Sequence, residues 1–333
     1  TRTLPYPLEE CPTPAYDEII GTLYEPSERQ KIEWAIGAII SGDSKEIQKF
    51  MVFYGAPGTG KSTILNIISL LFDGYCASFD SKALGNRNSE HALESFKDNP
   101  LVAIEHEGDL SRIDDNSRLN SIISHENLVV NEKFKGLYST KFHSFILMGT
   151  NKPVKITDAK SGILRRLIDV NPSGNKIKPK RYDELMDQVK FELGGIAYHC
   201  LNVYEEMGPK YYNTYIPLSM LSKTNDFFNF MEDNYIFFAE ECGGGVPLNT
   251  AWMRYKEYCD DARVPYPLSK RLFKDELKNY FKEFKPRTHD YANYYEGFLT
   301  EKFSFYDEKE EKKNEKDLVL SENGWLKFNK RVS

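Results

Sequence analysis

No run of apolar residues in this chain approaches the roughly 20 needed to cross a bilayer, and nothing like a signal peptide opens it. A soluble, unsecreted protein of the cytoplasm is therefore expected. Cysteine is scarce: Cys11, Cys76, Cys200, Cys242 and Cys259 are scattered, odd in number and never spaced C-x-x-C. That pattern excludes a disulfide framework and suits free thiols in a reducing compartment. The adjacent pair His199 and Cys200 lacks the spacing of a zinc chelate. Positive charge is not in excess either, since 44 Lys and Arg face 50 Asp and Glu for a net charge of -6. A protein coated all over in cations for nucleic acid is excluded, so any such contact is local. No internal repeat occurs. What remains, 333 residues that are 40% hydrophobic, 28% charged and rich in Tyr and Phe, describes a globular chain of two or three domains.

The opening "TRTLPYPLEECPTPAYDE" carries Pro5, Pro7, Pro12 and Pro14, which predicts an extended connector such as would follow an upstream domain. "SERQKIEWAIGAII" (27–40) has helical spacing, with Ser27 as its cap. "KFMVFYG" (49–55) reads as a buried strand, "STILNIISLLF" (62–72) as a helix, and "LVAIE" (101–105) and "HSFILMGTN" (143–151) as further strands. Strands alternating with helices predict a doubly wound α/β domain. "NPSGNKIKPKR" (171–181) marks a boundary, 182–207 is helical, and Gly243 to Gly245 form a hinge. Two helices (248–262 and 268–281) followed by β-like pieces around "YEGFL" and "GWLKF" suggest a winged-helix-like end. The mixed-charge "DEKEEKKNEKD" (307–317) reads as a solvated loop. The expected divisions are 1–45, 46–175, 176–245 and 246–333.

"GAPGTGKST" fits G-x-x-x-x-G-K-[ST], with Gly55, Gly60, Lys61 and Ser62 at the fixed positions. The loop Gly55, Ala56, Pro57, Gly58, Thr59, Gly60, Lys61, Ser62 and Thr63 would wrap the phosphates of ATP. Lys61 would reach the β and γ oxygens and Ser62 would ligate Mg²⁺. A P-loop ATPase also needs carboxylates at a neighbouring strand end, which "LVAIEHEGD" supplies as Glu105 and Glu107. Two apart on an extended chain, they share a face. Glu105 is assigned the Mg²⁺ side and Glu107 the water, although sequence cannot order them and Asp109 is a third acid. His106 between them points away. Asn151 ends the third strand and would orient water, or cap a turn before Pro153. Arg165 and Arg166 in "GILRRLIDV" suit phosphoryl charge from a neighbouring subunit, or surface ion pairs.

These motifs together resemble a superfamily 3 helicase of the AAA+ class, most similar to the helicase part of phage, plasmid and poxvirus primase-helicases. The resemblance runs from about Leu23 to Pro172 and includes the P-loop, "VAIEHEGD", "LNSIISHENLVVNEKFKGLYSTKF", "LMGTNKP" and "LRRLIDV" in the family's order. Two departures stand out. Ser124, His125 and Glu126 occupy the place where many relatives have Gly-Gly-Asp, and His106 separates the two acids. The resemblance implies a P-loop AAA+ core with a parallel sheet and an inserted β-hairpin, between an N-terminal helical region and a C-terminal helical and winged-helix-like region. It implies a hexameric ring driven by ATP and Mg²⁺ that moves 3′ to 5′ on single-stranded DNA and opens forks in phage or viral replication, with a primase domain upstream. Glu105 and Glu107 take the Walker B role, Asn151 that of sensor 1, and Arg166 that of the arginine finger with Arg165 beside it.

The hairpin before sensor 1 is then the DNA-binding element. Lys133 and Lys135 would follow phosphates while Phe134 stacks on a base, unless the lysines are a solvated face. The cations Lys270, Arg271, Lys274 and Lys278, and the stretch "KIKPKR" (176–181), are open between DNA contact and solvated surface. A loader or initiator ATPase and a small-molecule kinase are the rival classes, and the hairpin and paired arginines disfavour the kinase.

Overall fold

Proline opens the first two helices. Pro14 begins α1 (Pro14–Leu23) and Pro26 begins α2 (Pro26–Ser41), because a first-turn residue loses nothing by lacking an N–H and proline's fixed φ suits the helix. The extended connector expected through residue 18 therefore stops at Thr13, and Ser27 lies inside α2 instead of capping it. The computed structural model describes residues 3–86, 89, 91–110, 116–131, 136–154, 162–262, 264, 266–286 and 290–303.

The chain divides into two units, Thr1–Thr224 and Asn225–Ser333. After α1 and α2, the first unit continues through β1 (Phe50–Tyr54), α3 (Lys61–Leu71), β2 (Cys76–Ser78), α4 (Ser81–Leu84), β3 (Val102–Glu105) and α5 (Ser117–Ile123). An antiparallel ribbon of β4 (Asn127–Val130) and β5 (Tyr138–Lys141) precedes β6 (Phe145–Thr150), β7 (Leu167–Val170), α6 (Pro179–Met207) and α7 (Leu218–Thr224). The main sheet is parallel throughout, in the order β2-β3-β6-β1-β7. Met51, Phe53, Val102, Ile104, Phe145, Leu147, Ile168 and Val170 point into the core shared with α1, α2, α3 and α6. Alternate residues such as Val52, Ala103, Ile146 and Met148 are buried as well, so both faces are covered, as a parallel sheet requires.

The expected boundary at 175/176 is absent, because α6 runs back along α2 and α1. Gly37 lets α2 and α6 approach so closely that a Cβ there would sit 2.1 Å from Cys200 O. Trp34 packs on Tyr204 and Tyr212 beside this crossing. The carboxylate of Glu192 on α6 is 5% exposed and accepts from the N–H groups of Ala15 (3.1 Å) and Tyr16 (3.0 Å). An acid from one helix thus satisfies the open N-terminus of another.

The second unit holds α8 (Asp226–Asp233), β8 (Gly245–Pro247), α9 (Leu248–Asp261), α10 (Lys270–Leu277), β9 (Phe281–Lys285) and β10 (Tyr294–Phe298). Its antiparallel sheet has the order β8-β10-β9 around an aromatic core that includes Phe227, Phe230, Tyr255 and Phe273. The helix expected to reach residue 281 ends at Leu277, and the strand beyond its short 3-10 turn is the partner of "YEGFL". "GWLKF" and residues 307–317 lie outside the described residues.

Candidate functional site

The glycine loop joins the C-terminal end of β1 to the first residue of α3. Gly58 and Gly60 have φ of 74° and 92°, a region open to glycine at no steric cost. No side chain caps α3, which leaves its first N–H groups facing the loop, the arrangement that binds phosphate. Lys61 is only 7% exposed, and its Nζ donates to Gly55 O and Ala56 O, both at 2.8 Å. Burial lowers the pKa of Lys61, and the charge of Glu107 opposes that shift. Ser62 is exposed one residue further on. The donor set fits a polyphosphate: a lysine, a turn of free N–H groups and a hydroxyl on one concave wall. The adjoining cavity, about 250 Å³, is completed by Leu23, Lys176, Ile177 and Tyr182.

The two acids do not share an extended strand. β3 ends at Glu105 and the chain turns at His106 and Glu107, so the expectation of a common face fails. Glu105 is half-buried, and its Oε2 accepts from Ser81 N at 3.1 Å. Burial raises its pKa against that hydrogen bond. Glu107 is exposed and acts on Lys61. Asp109 is tied to Lys152 at 2.7 Å. Asn151 follows β6 directly and is exposed. Hydrogen bonds from Gly55 N to Thr150 O (3.2 Å) and from Gly108 N to Gly149 O (2.8 Å) hold the ends of β1, β3 and β6 together. The glycine loop, both acids and Asn151 therefore meet at one edge of the sheet.

Arg165 and Arg166 lie at the other edge. They end a 3-10 turn just before β7, and Leu167 pairs with Phe50 whereas Thr150 pairs with Tyr54. Four strand residues at about 3.3 Å each separate the two edges by about 13 Å. Arg166 is 6% exposed. Its Nη1 donates to Gly162 O (2.6 Å), and its Nε and Nη2 donate to Ser124 Oγ (3.0 and 2.5 Å). The Arg165 side chain is exposed, while its carbonyl accepts from Lys49 Nζ at 2.6 Å. Burial, with Arg165 nearby, pushes Lys49 down to about 8. These residues line a cleft of about 580 Å³ with Asp43, Glu46 and Lys210.

Comparison with known proteins adds two kinds of likeness. Residues 53–166 match the profile of a family of unknown function (DUF5906), which spans the glycine loop, the acids, Asn151 and the arginine pair. Residues 224–322 match a second profile, described as poxvirus D5 protein-like. The similarity to that second profile falls on the C-terminal unit. The apo C-terminal region of NrS-1 (residues 305–718) has a similar fold at TM-score 0.50 and 14% identity, covering 88% of this chain and 77% of that one. Its A form gives 0.49 and 16% over the same shares.

The structure of the second unit alters the reading of its cations. Lys274 and Lys278 lie over the ring of Phe284, at 5.0 and 4.8 Å from its centroid, and Lys270 donates to Asn249 Oδ1. Three of the four cations of α10 and its 3-10 extension are thus engaged within the unit. In "KIKPKR", Lys176 lines the cavity beside the glycine loop and Arg181 pairs with Glu18 and Glu184. Lys133, Phe134 and Lys135 lie outside the described residues. Next to them, Val129 and Leu137 are 64% and 70% exposed. Sequence reasoning missed Leu23 at the end of α1, and Ile177 and Tyr182 at the approach to and start of α6, which tertiary packing brings to the loop. It also missed Lys49 and Lys210, which no spacing connects.

Proposed function

We propose that this chain is the ATP-driven helicase module of a phage or viral replication protein, a primase-helicase of the superfamily 3, AAA+ type. It works as a ring, expected to be a hexamer, on single-stranded DNA at a fork. The observation that carries the reading is the separation of the two charged edges. A phosphate bound by Lys61 is beyond the reach of the same chain's arginine pair, so the site is complete only when a second copy brings its own arginines to it. This supports hydrolysis coupled to assembly, and it disfavours a monomeric small-molecule kinase.

Within that site Lys61 and the loop N–H groups hold the β and γ phosphates. Mg²⁺, held by Ser62 and Glu105, would offset phosphate charge when bound. Glu105 suits that fixed position because Ser81 N–H orients it. Glu107, exposed at the turn, suits the attacking water, with Asn151 at its side. Arg165 is the arginine free to extend into a neighbour, and Arg166 is its internal support. Lys133, Phe134 and Lys135 contact DNA in the channel.

Forked-duplex unwinding by the intact chain, by Lys61→Ala and by Lys133→Ala/Lys135→Ala tests the proposal. Only the parent should unwind. A hairpin variant that unwinds like the parent removes the channel role. If the parent binds and hydrolyses ATP but opens no fork, a loader or initiator ATPase is the better description.

A further inference from the structure

Helix α5 ends in a turn built for glycine that holds histidine. His125 N donates to Ile122 O (3.0 Å) and Glu126 N to Ser121 O (2.9 Å), closing the helix with residue 125 in the left-handed region at φ 55°. That conformation is strained for a residue with a Cβ, so a compensating contact is needed. The ring supplies it. His125 is 9% exposed, with Nδ1 at 2.8 Å from Phe142 O and Nε2 at 3.0 Å from Ser44 O and 3.3 Å from Ile47 O. All three partners are carbonyl oxygens within hydrogen-bond distance of the two ring nitrogens, and the tautomer sets which nitrogen donates.

The partners belong to two different places. Phe142 directly follows β5, the return strand of the hairpin, whereas Ser44 and Ile47 lie in the segment that leads through Lys49 into β1. Lys49 holds the carbonyl of Arg165. The residue before the histidine makes the second fastening, since Ser124 Oγ accepts two N–H groups of Arg166. Two consecutive residues at the root of the hairpin are therefore bound to the arginine pair, one directly and one through Lys49.

We infer that Ser124 and His125 form the joint through which movement of the β4–β5 hairpin reaches Arg165 and Arg166, and so the nucleotide held by a neighbouring copy. The inference rests on the proposed function, which sets the hairpin on DNA and the arginines at the subunit boundary. The hairpin already has a covalent route to its own nucleotide edge through β6 and Asn151. The joint adds a second route to the opposite edge. Both residues are positioning residues, touching neither nucleotide nor DNA.

The test compares ATP hydrolysis with and without single-stranded DNA, and the melting temperature, for the intact chain, His125→Gly, His125→Asn and Ser124→Ala. Glycine relaxes the left-handed turn and removes only the ring, so His125→Gly folds. Basal hydrolysis should stay within about twofold of the parent while stimulation by DNA falls at least about fivefold, the usual scale of a lost coupling. Ser124→Ala should behave likewise. His125→Asn, which tolerates the turn and keeps one donor, should retain part of the stimulation. If the parent is stimulated and both His125→Gly and Ser124→Ala remain so, the joint is refuted alone. A lowered melting temperature with basal hydrolysis lost in His125→Gly makes the ring merely structural and also refutes it. A parent that DNA does not stimulate overturns the proposed function and the joint with it.

Discussion

Replacing the two adjacent arginines by alanine should separate catalysis from stability. Arg166 is buried and donates to Gly162 O and Ser124 Oγ. Truncation leaves two polar partners without their donor, at about 1–3 kcal/mol each, or about 3 kcal/mol after local rearrangement. For a unit of this size that corresponds to a fall in melting temperature of roughly 6–12 °C. Arg165 is exposed, and its loss should change stability by less than about 0.5 kcal/mol. If its guanidinium completes a neighbour's site, hydrolysis should nevertheless fall by about 10³-fold or more. Calorimetry and steady-state ATPase measurements on both variants read these effects apart. Mixing Arg165→Ala with Lys61→Ala should then recover activity, since roughly a quarter of the interfaces would pair an intact loop with an intact arginine. The reasoning is refuted if Arg165→Ala hydrolyses ATP like the parent, or if the mixture stays as inactive as its components.

Lys61→Ala should weaken nucleotide affinity, read by titration calorimetry, and should also lower the melting temperature without nucleotide, because Gly55 O and Ala56 O lose their donor. His199 Nε2 lies 3.0 Å from Glu33 Oε1, and that hydrogen bond raises the histidine pKa. A raised pKa stabilises the fold below the ordinary value of about 6.5, and the gain is lost as pH climbs through the folded value. The melting-temperature advantage of the parent over His199→Gln should accordingly be largest near pH 6 and shrink toward pH 9. Glu192→Ala removes the acceptor for Ala15 and Tyr16 N–H and should cost about 1–2 kcal/mol in urea denaturation, as loss of a helix cap does. Gly37→Ala forces a Cβ against Cys200 O and Tyr204, and overpacking of this kind should cost about 1–3 kcal/mol.

The elements that frame the candidate site were legible because their patterns are local. The glycine loop sits between a short apolar strand and an amphipathic helix, Glu105 closes a strand of the same kind and Asn151 directly follows another. Other features were hidden for identifiable reasons. The prolines that suggested a connector are compatible with a helix at its first position, so α1 went unseen. The three residues of β2 are too few for alternation to register. β9 follows α10 after one 3-10 turn, and its Phe281 and Phe284 continue the helical apolar spacing, which erased the boundary. The separate faces of Glu105 and Glu107 depend on where a strand stops, and no residue type announces that. The burial of Arg166 beside an exposed Arg165 was illegible too, since it is fixed by Ser124, 42 positions away.

Leu23, the last residue of α1, lies against the glycine loop so tightly that a Cβ on Gly60 would come within 2.6 Å of its Cδ1. The same stretch of backbone is fastened to Ser173, whose N donates to Leu23 O at 2.8 Å and whose Oγ donates to Thr22 O at 2.9 Å. The N-terminal arm is thus a handle on the glycine loop. Tension on α1 would lift Leu23 from the glycine beneath it, loosening the loop from outside the adjoining cavity, and a cut between 45 and 46 would remove the wall against which the loop is set.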